Sequence, residues 1–144
     1  RTNIEGINQL ENILSKISIT LIKVDLPHWS GPTDVLHLMS LISPLKDKLF
    51  LIYEKLIPIS FLNFLRSIDI NFIHIEESEY ETLACNVLPL SEDKCLIVKG
   101  NPKTRSIIEK SGIETLEIDA SEICYKGSGG PTCITRPIHR DLII

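Results

Sequence analysis

Apolar residues recur along the chain with two alternating periods, one helical and one extended, and their order repeats. Ile4, Ile7, Leu10, Ile13 and Leu14 fall three or four positions apart, which predicts an amphipathic helix over residues 3–16. Residues 17–25 then run apolar or alternate until Pro27, which predicts a strand. After the loop His28-Trp29-Ser30-Gly31-Pro32, residues 35–45 and 48–53 read as two strands joined across a Lys46-Asp47 turn. A helix over 59–68 follows, its face carried by Phe61, Leu62, Phe64, Leu65 and Ile68, and then a strand over 70–75. The same order returns: strand 86–90, turn Ser91-Glu92-Asp93, strand 95–98, helix 102–110 and strand 113–118. This helix opens on Pro102, whose missing N–H is harmless at a first helical position, and stops before Gly112.

The unit is therefore strand–strand–helix–strand, present twice in full. The chain opens on the tail of one such unit and closes on the head of another, a strand beginning at Cys133. Units of this kind bury a continuous core by stacking or by circular closure. A chain that begins inside a unit is expected to be part of a longer one.

Composition narrows the classes. A length of 144 residues allows one domain with a modest core, and the hydrophobic and charged fractions are those of an ordinary globular protein. A net charge of -4 gives no electrostatic case for nucleic acid or an anionic membrane. No apolar run approaches the roughly 20 residues that span a bilayer, and the polar, helix-like opening leads to no expectation of a signal peptide. Cys85, Cys95, Cys124 and Cys133 lack a C-x-x-C pair, which argues against zinc, and they are too sparse for a disulfide scaffold. Reduced thiols in a cytoplasmic protein, with no metal and no cofactor, are expected.

The candidate chemistry sits near the C-terminus, in Gly127-Ser128-Gly129-Gly130-Pro131-Thr132-Cys133. Glycines let the backbone bend sharply and approach a ligand. The run delivers Cys133 into an apolar segment, 133–138, that reads as a strand. Such a thiol serves either as an accessible nucleophile or as a small buried hydrophobe beside a tight turn. His37, Asn86 and Cys133 each stand near the start of their unit's first strand, at nearly equal intervals. Units arranged around an axis would gather all three at one end, where imidazolium favours the thiolate and later protonates a leaving group. Taken singly, His37 also reads as a core histidine and Asn86 as a strand or turn cap. His28 reads as a loop residue, His74 and His139 are given no role, and Glu76-Glu77-Ser78-Glu79 reads as a solvated loop.

Arg1-Thr2-Asn3, His37-Leu38 after a Gly-containing loop, and Gly129-Gly130-Pro131-Thr132-Cys133 with Pro137 resemble the C-terminal half of the guanidine-modifying penteins. That superfamily holds arginine deiminases, amidinotransferases and dimethylarginine dimethylaminohydrolases, and the chain is most similar to the last branch. The resemblance implies an α/β propeller of five strand–strand–helix–strand modules around a pseudo-fivefold axis. Residues 1–144 would be the C-terminal part of a single pentein domain, about two full repeats with partial ones at both ends. It implies a hydrolase or amidinotransferase acting on the guanidinium of arginine or a methylated or related arginine. Cys133 would attack the guanidinium carbon to give a covalent thiol-amidino intermediate, and His37 would shuttle the proton. Arg1 would clamp the substrate's α-carboxylate, a task that suits a bidentate guanidinium. Gly127, Ser128 and Asn86 would hold the substrate. Met39 stands two residues after His37, where deiminases carry an Asp on the substrate guanidinium, and this disfavours a deiminase. The carboxylates that grip the guanidinium come largely from the other half of such proteins, so residues 1–144 alone are expected to be weak or inert. That other half and, in a homo-oligomer, a second copy are the expected protein partners. A non-catalytic pentein-like binding module, as in ribosome anti-association factors, is the alternative. It needs no glycine-presented Cys in register with a His, which ranks the enzyme first.

Overall fold

The two repeats are present as two three-stranded sheets of the same design. In the computed structural model, which describes residues 2–34 and 36–139, β1 (Ile42–Lys46) and β2 (Leu49–Ile52) pair antiparallel. Helix α2 (Ile59–Ser67) then crosses over to β3 (Asn71–His74), which lies parallel to β2. The second sheet repeats this with β4 (Leu88–Pro89), β5 (Lys94–Val98), α3 (Pro102–Lys110) and β6 (Glu114–Ile118). The strand orders are β1-β2-β3 and β4-β5-β6. A parallel neighbour requires a long connection, which explains why each unit spends its helix between its second and third strands. The result is a mixed α/β fold.

One apolar core runs through both sheets, with Leu45, Leu51 and Ile52 from the first and Ile97, Ile108 and Ile113 from the second. The units meet where β1 faces the approach to β4. There the fully buried Ser43 donates its Oγ to the Cys85 carbonyl at 2.6 Å and accepts from the Val87 N–H at 3.2 Å. This ties the segment that carries Asn86 to the neighbouring sheet.

Four expectations are corrected. Residues 17–25 form no strand, and Ile17, Ile19 and Ile22 stay exposed. Alternation specifies a face, but a strand also needs a partner ladder, and none pairs with it among the described residues. The preceding helix, α1 (Ile4–Ser15), does form, with the Asn3 side chain accepting from the Gly6 N–H at 2.9 Å. The first strand of the first unit begins at Ile42, because Leu38–Ser40 make a 3₁₀ turn instead. Cys133 lies in a single helical turn, α4 (Pro131–Ile134), and not in a strand. Pro131 fixes φ at the first helical position, and that outweighs the apolar run behind it.

The fourth concerns the acidic cluster. Glu76 and Glu77 are solvated, but Glu79 is only 5% exposed. Its carboxylate accepts from the Lys103 N–H (2.9 Å), the Thr104 N–H (2.8 Å) and the Thr104 hydroxyl (2.7 Å). Those amides are the orphan donors of the first turn of α3, where the helix dipole also favours negative charge. Among the described residues no helix is long and apolar enough to cross a membrane.

Candidate active site around Cys133

A short chain of local structures delivers the thiol. The π-helical turn Ser121–Tyr125 ends in a loop held by the Gly129 N–H, which donates to the Cys124 carbonyl at 3.0 Å. The expected sharp bend is present, but Ser128 makes it, with φ 53°. Gly129 and Gly130 serve through their missing side chains. A Cβ on Gly129 would stand 3.0 Å from the Cys133 Cβ, and one on Gly130 would stand 2.4 Å from the Asn86 Cγ. Glycine here permits close packing of the loop on the previous unit.

Asn86 receives that loop. It follows a tight turn through Leu83 (φ 62°), and its side chain is 3% exposed. Its Oδ1 accepts from the Thr132 N–H at 3.0 Å and the Thr132 hydroxyl at 2.9 Å. Its Nδ2 donates to the Cys133 Sγ at 3.3 Å. A backbone N–H can only donate, so the amide oxygen must face Thr132 and the nitrogen must face sulfur.

The four thiols are all free, and they separate by environment. Burial pushes Cys85 up to about 12 and Cys95 up to about 11, with Glu109 adding to the second. Cys124 is also raised, first by burial and then by Cys133. Such thiols stay neutral and unreactive. Cys133 is the exposed one, so the reading of it as a buried hydrophobe does not hold.

His37 is exposed too, and it caps the 3₁₀ turn through its carbonyl, which accepts from the Ser40 N–H at 2.9 Å. It is therefore no core histidine. With Thr2, Ile22, Val24, Leu26 and Met39 it lines a shallow cavity of about 410 Å³. A second cavity of about 340 Å³ shares Leu36 with the first and is lined by Trp29, Asp34, Tyr80, Glu81, Asn86 and Ser128. The structure thus joins Asn86 to Cys133 by a hydrogen bond, places Asn86 and Ser128 on one cavity, and places His37 on the neighbouring one. Arg1 lies outside the described residues. Gly127 has open space around it.

Asp34 and Glu81 were not singled out from the sequence. Asp34 stands in a Gly-Pro-Thr-Asp stretch that reads as a turn, and its Oδ2 accepts from the Ser30 N–H at 3.0 Å. Glu81 follows the acidic cluster. Both carboxylates line the second cavity beside Trp29 and Tyr80, whose rings meet edge to face at 5.9 Å. Carboxylates and aromatic faces together suit an organic cation. Among the described residues no group of His, Cys, Asp and Glu could hold a metal ion.

Known proteins are similar to this chain. A family model described as arginine deiminase matches residues 59–140. Across 140 residues the chain is 30% identical to the uncharacterized Bacillus subtilis protein YkgA, covering 97% of this chain and 46% of that one. A DDAH from Pseudomonas aeruginosa, solved with citrulline, superposes with a TM-score of 0.68 at 28% identity, over 92% of this chain and 46% of that one. An amidinotransferase from Microseira wollei superposes with a TM-score of 0.80 over 96% of this chain and 42% of that one. Its identity of 18% speaks to the fold alone. The chain spans about half the length of these relatives. The family match covers more than half of the chain and includes the glycine loop, Cys133 and Asn86, so the chain belongs to the arginine deiminase family of the guanidine-modifying pentein superfamily.

Proposed function

We propose that the protein is a cysteine-dependent hydrolase or amidinotransferase acting on the guanidinium group of arginine or a methylated or related arginine. Residues 1–144 form the C-terminal part of its pentein domain, whose remaining units complete a five-fold propeller. The observation that carries this reading is the contrast among the thiols. Three are buried and kept neutral, while Cys133 is exposed on a glycine loop with an amide N–H on its sulfur. The citrulline held by the Pseudomonas aeruginosa DDAH supports an arginine-shaped ligand. Met39, where a deiminase would carry Asp, favours a dimethylaminohydrolase-like or amidinotransferase reaction over a deiminase.

In the proposed reaction the Cys133 thiolate attacks the guanidinium carbon and forms a C–S bond. A C–N bond then breaks, and the departing amine takes its proton from the His37 imidazolium. Water or an amine next attacks the same carbon and gives a proton to His37, and the C–S bond breaks to release the thiolate. Asp34 and Glu81 face the substrate cation, Gly127 and Ser128 edge its pocket, and Arg1 holds its carboxylate.

The test is covalent labelling of the full-length protein with 2-chloroacetamidine, a guanidinium mimic, with the adduct located by mass spectrometry. A single adduct on Cys133, slowed by excess arginine analogue, is the expected result. Labelling elsewhere, or labelling indifferent to the competitor, would favour a non-catalytic binding module.

A further inference from the structure

We propose that Asn86 is a positioning residue for the nucleophile: its amide N–H orients the Cys133 sulfur and stabilises its thiolate form. This rests on the reading of Cys133 as the nucleophile. Asn86 belongs to the second unit and Cys133 to the head of the next, so the contact is made across the boundary between units.

Three observations make the amide a fixed donor. First, Asn86 is 3% exposed and cannot swing into solvent. Second, Thr132 holds its oxygen twice, at 3.0 Å from the backbone N–H and 2.9 Å from the hydroxyl, which leaves the nitrogen directed at sulfur. Third, Gly130 offers no Cβ, and any Cβ there would occupy the space the amide fills. The Thr132 hydroxyl lies 3.9 Å from the sulfur and commits its proton to the Asn86 oxygen, so the amide is the sulfur's principal donor.

A hydrogen bond donated to a group favours its charged form, and it does so more strongly where water is scarce. Asn86 thus offers the sulfur a hydrogen bond that a thiolate accepts more strongly than a thiol, and it fixes the direction from which that sulfur meets a carbon. No substrate contact is needed for either effect.

The experiment compares the full-length protein with its Asn86→Asp and Asn86→Ala variants. Iodoacetamide alkylation of Cys133 is followed by mass spectrometry from pH 5 to pH 10. Asp keeps the oxygen that Thr132 binds, so the loop stays anchored while the donor is lost. The expected result is a rate about tenfold lower at pH 7 in both variants, lower still for Asp, with the alkaline plateau unchanged. A wild-type pH profile in either folded variant overturns the proposal. An equal slowing at every pH, plateau included, also overturns it, because that is what a displaced loop would do. If Asp prevents folding, the Ala variant decides. Alkylation needs no turnover, so the result stands apart from whether the protein processes a guanidine.

Discussion

A Cβ on Gly130 would lie 2.4 Å from the Cγ of Asn86, well inside contact distance. Asn86 has no room to yield, since it is buried and its oxygen is bound twice by Thr132. Gly130→Ala is therefore expected to push the amide away from the Cys133 sulfur. Overpacking of this kind destabilises by about 1–3 kcal/mol, and Cys133 labelling by 2-chloroacetamidine should slow at least tenfold. A Cβ on Gly127 meets nothing, so Gly127→Ala should stay within about 0.5 kcal/mol of wild type in urea denaturation. Equal behaviour of the two variants would remove the packing role assigned to Gly130.

Substitution of His37 by Ala tests the proton shuttle. Loss of a general acid–base group lowers turnover by about 10²–10⁴-fold. His37 is exposed, and the carbonyl that caps the 3₁₀ turn is kept by Ala, so that turn should persist. Turnover of an arginine analogue by the full-length variant should fall in that range with its melting temperature unchanged. Retained turnover would exclude His37 from the reaction.

Glu79 should matter to stability and not to chemistry. Its two oxygens satisfy two backbone amides and one hydroxyl at the start of α3. Glu79→Gln keeps the volume but turns an NH₂ group toward donors, leaving at least one buried amide without an acceptor. Urea denaturation should show a loss of about 1–3 kcal/mol. A loss below about 0.5 kcal/mol would mean that solvent replaces the carboxylate without penalty.

Local punctuation explains which elements were legible. Helix α3 has the bounds expected, because Pro102 and Gly112 mark both ends. The alternation of units was legible from hydrophobic period, but the strand starts behind the expected register were not: the first strand opens at Ile42, after His37, and Cys133 lies in a helical turn. Partnership was not legible either. Residues 17–25 carry a strand's pattern without a neighbour to pair with among the described residues, and pattern cannot reveal that. Glu79 looked like its solvated neighbours because its acceptors, the amides of Lys103 and Thr104, come together with it only in the fold. The helical turn at Cys133 was readable from Pro131, a signal outweighed by the apolar residues after it. Asp34 and Glu81 carried no spacing that would connect them, since a cavity wall is assembled from separate loops.

The buried thiols set an alkaline limit on stability. Unfolded, a thiol like Cys85 ionises near 9.0, whereas burial in the folded chain pushes it up to about 12. Cys95 moves in the same direction, to about 11. Between those values the unfolded state has released its proton and the folded state has not. The unfolded state therefore binds fewer protons, and stability falls as pH rises. The contribution is fully present below about pH 9 and is lost progressively above it. Each thiol should remove about 1.4 kcal/mol per pH unit inside its window. Urea denaturation at pH 8 and pH 10 should show this decline. Cys85→Ala should start less stable, because it leaves a small cavity, yet it should lose less between the two pH values. A pH slope unchanged by that substitution would mean that the folded Cys85 ionises as readily as the unfolded one.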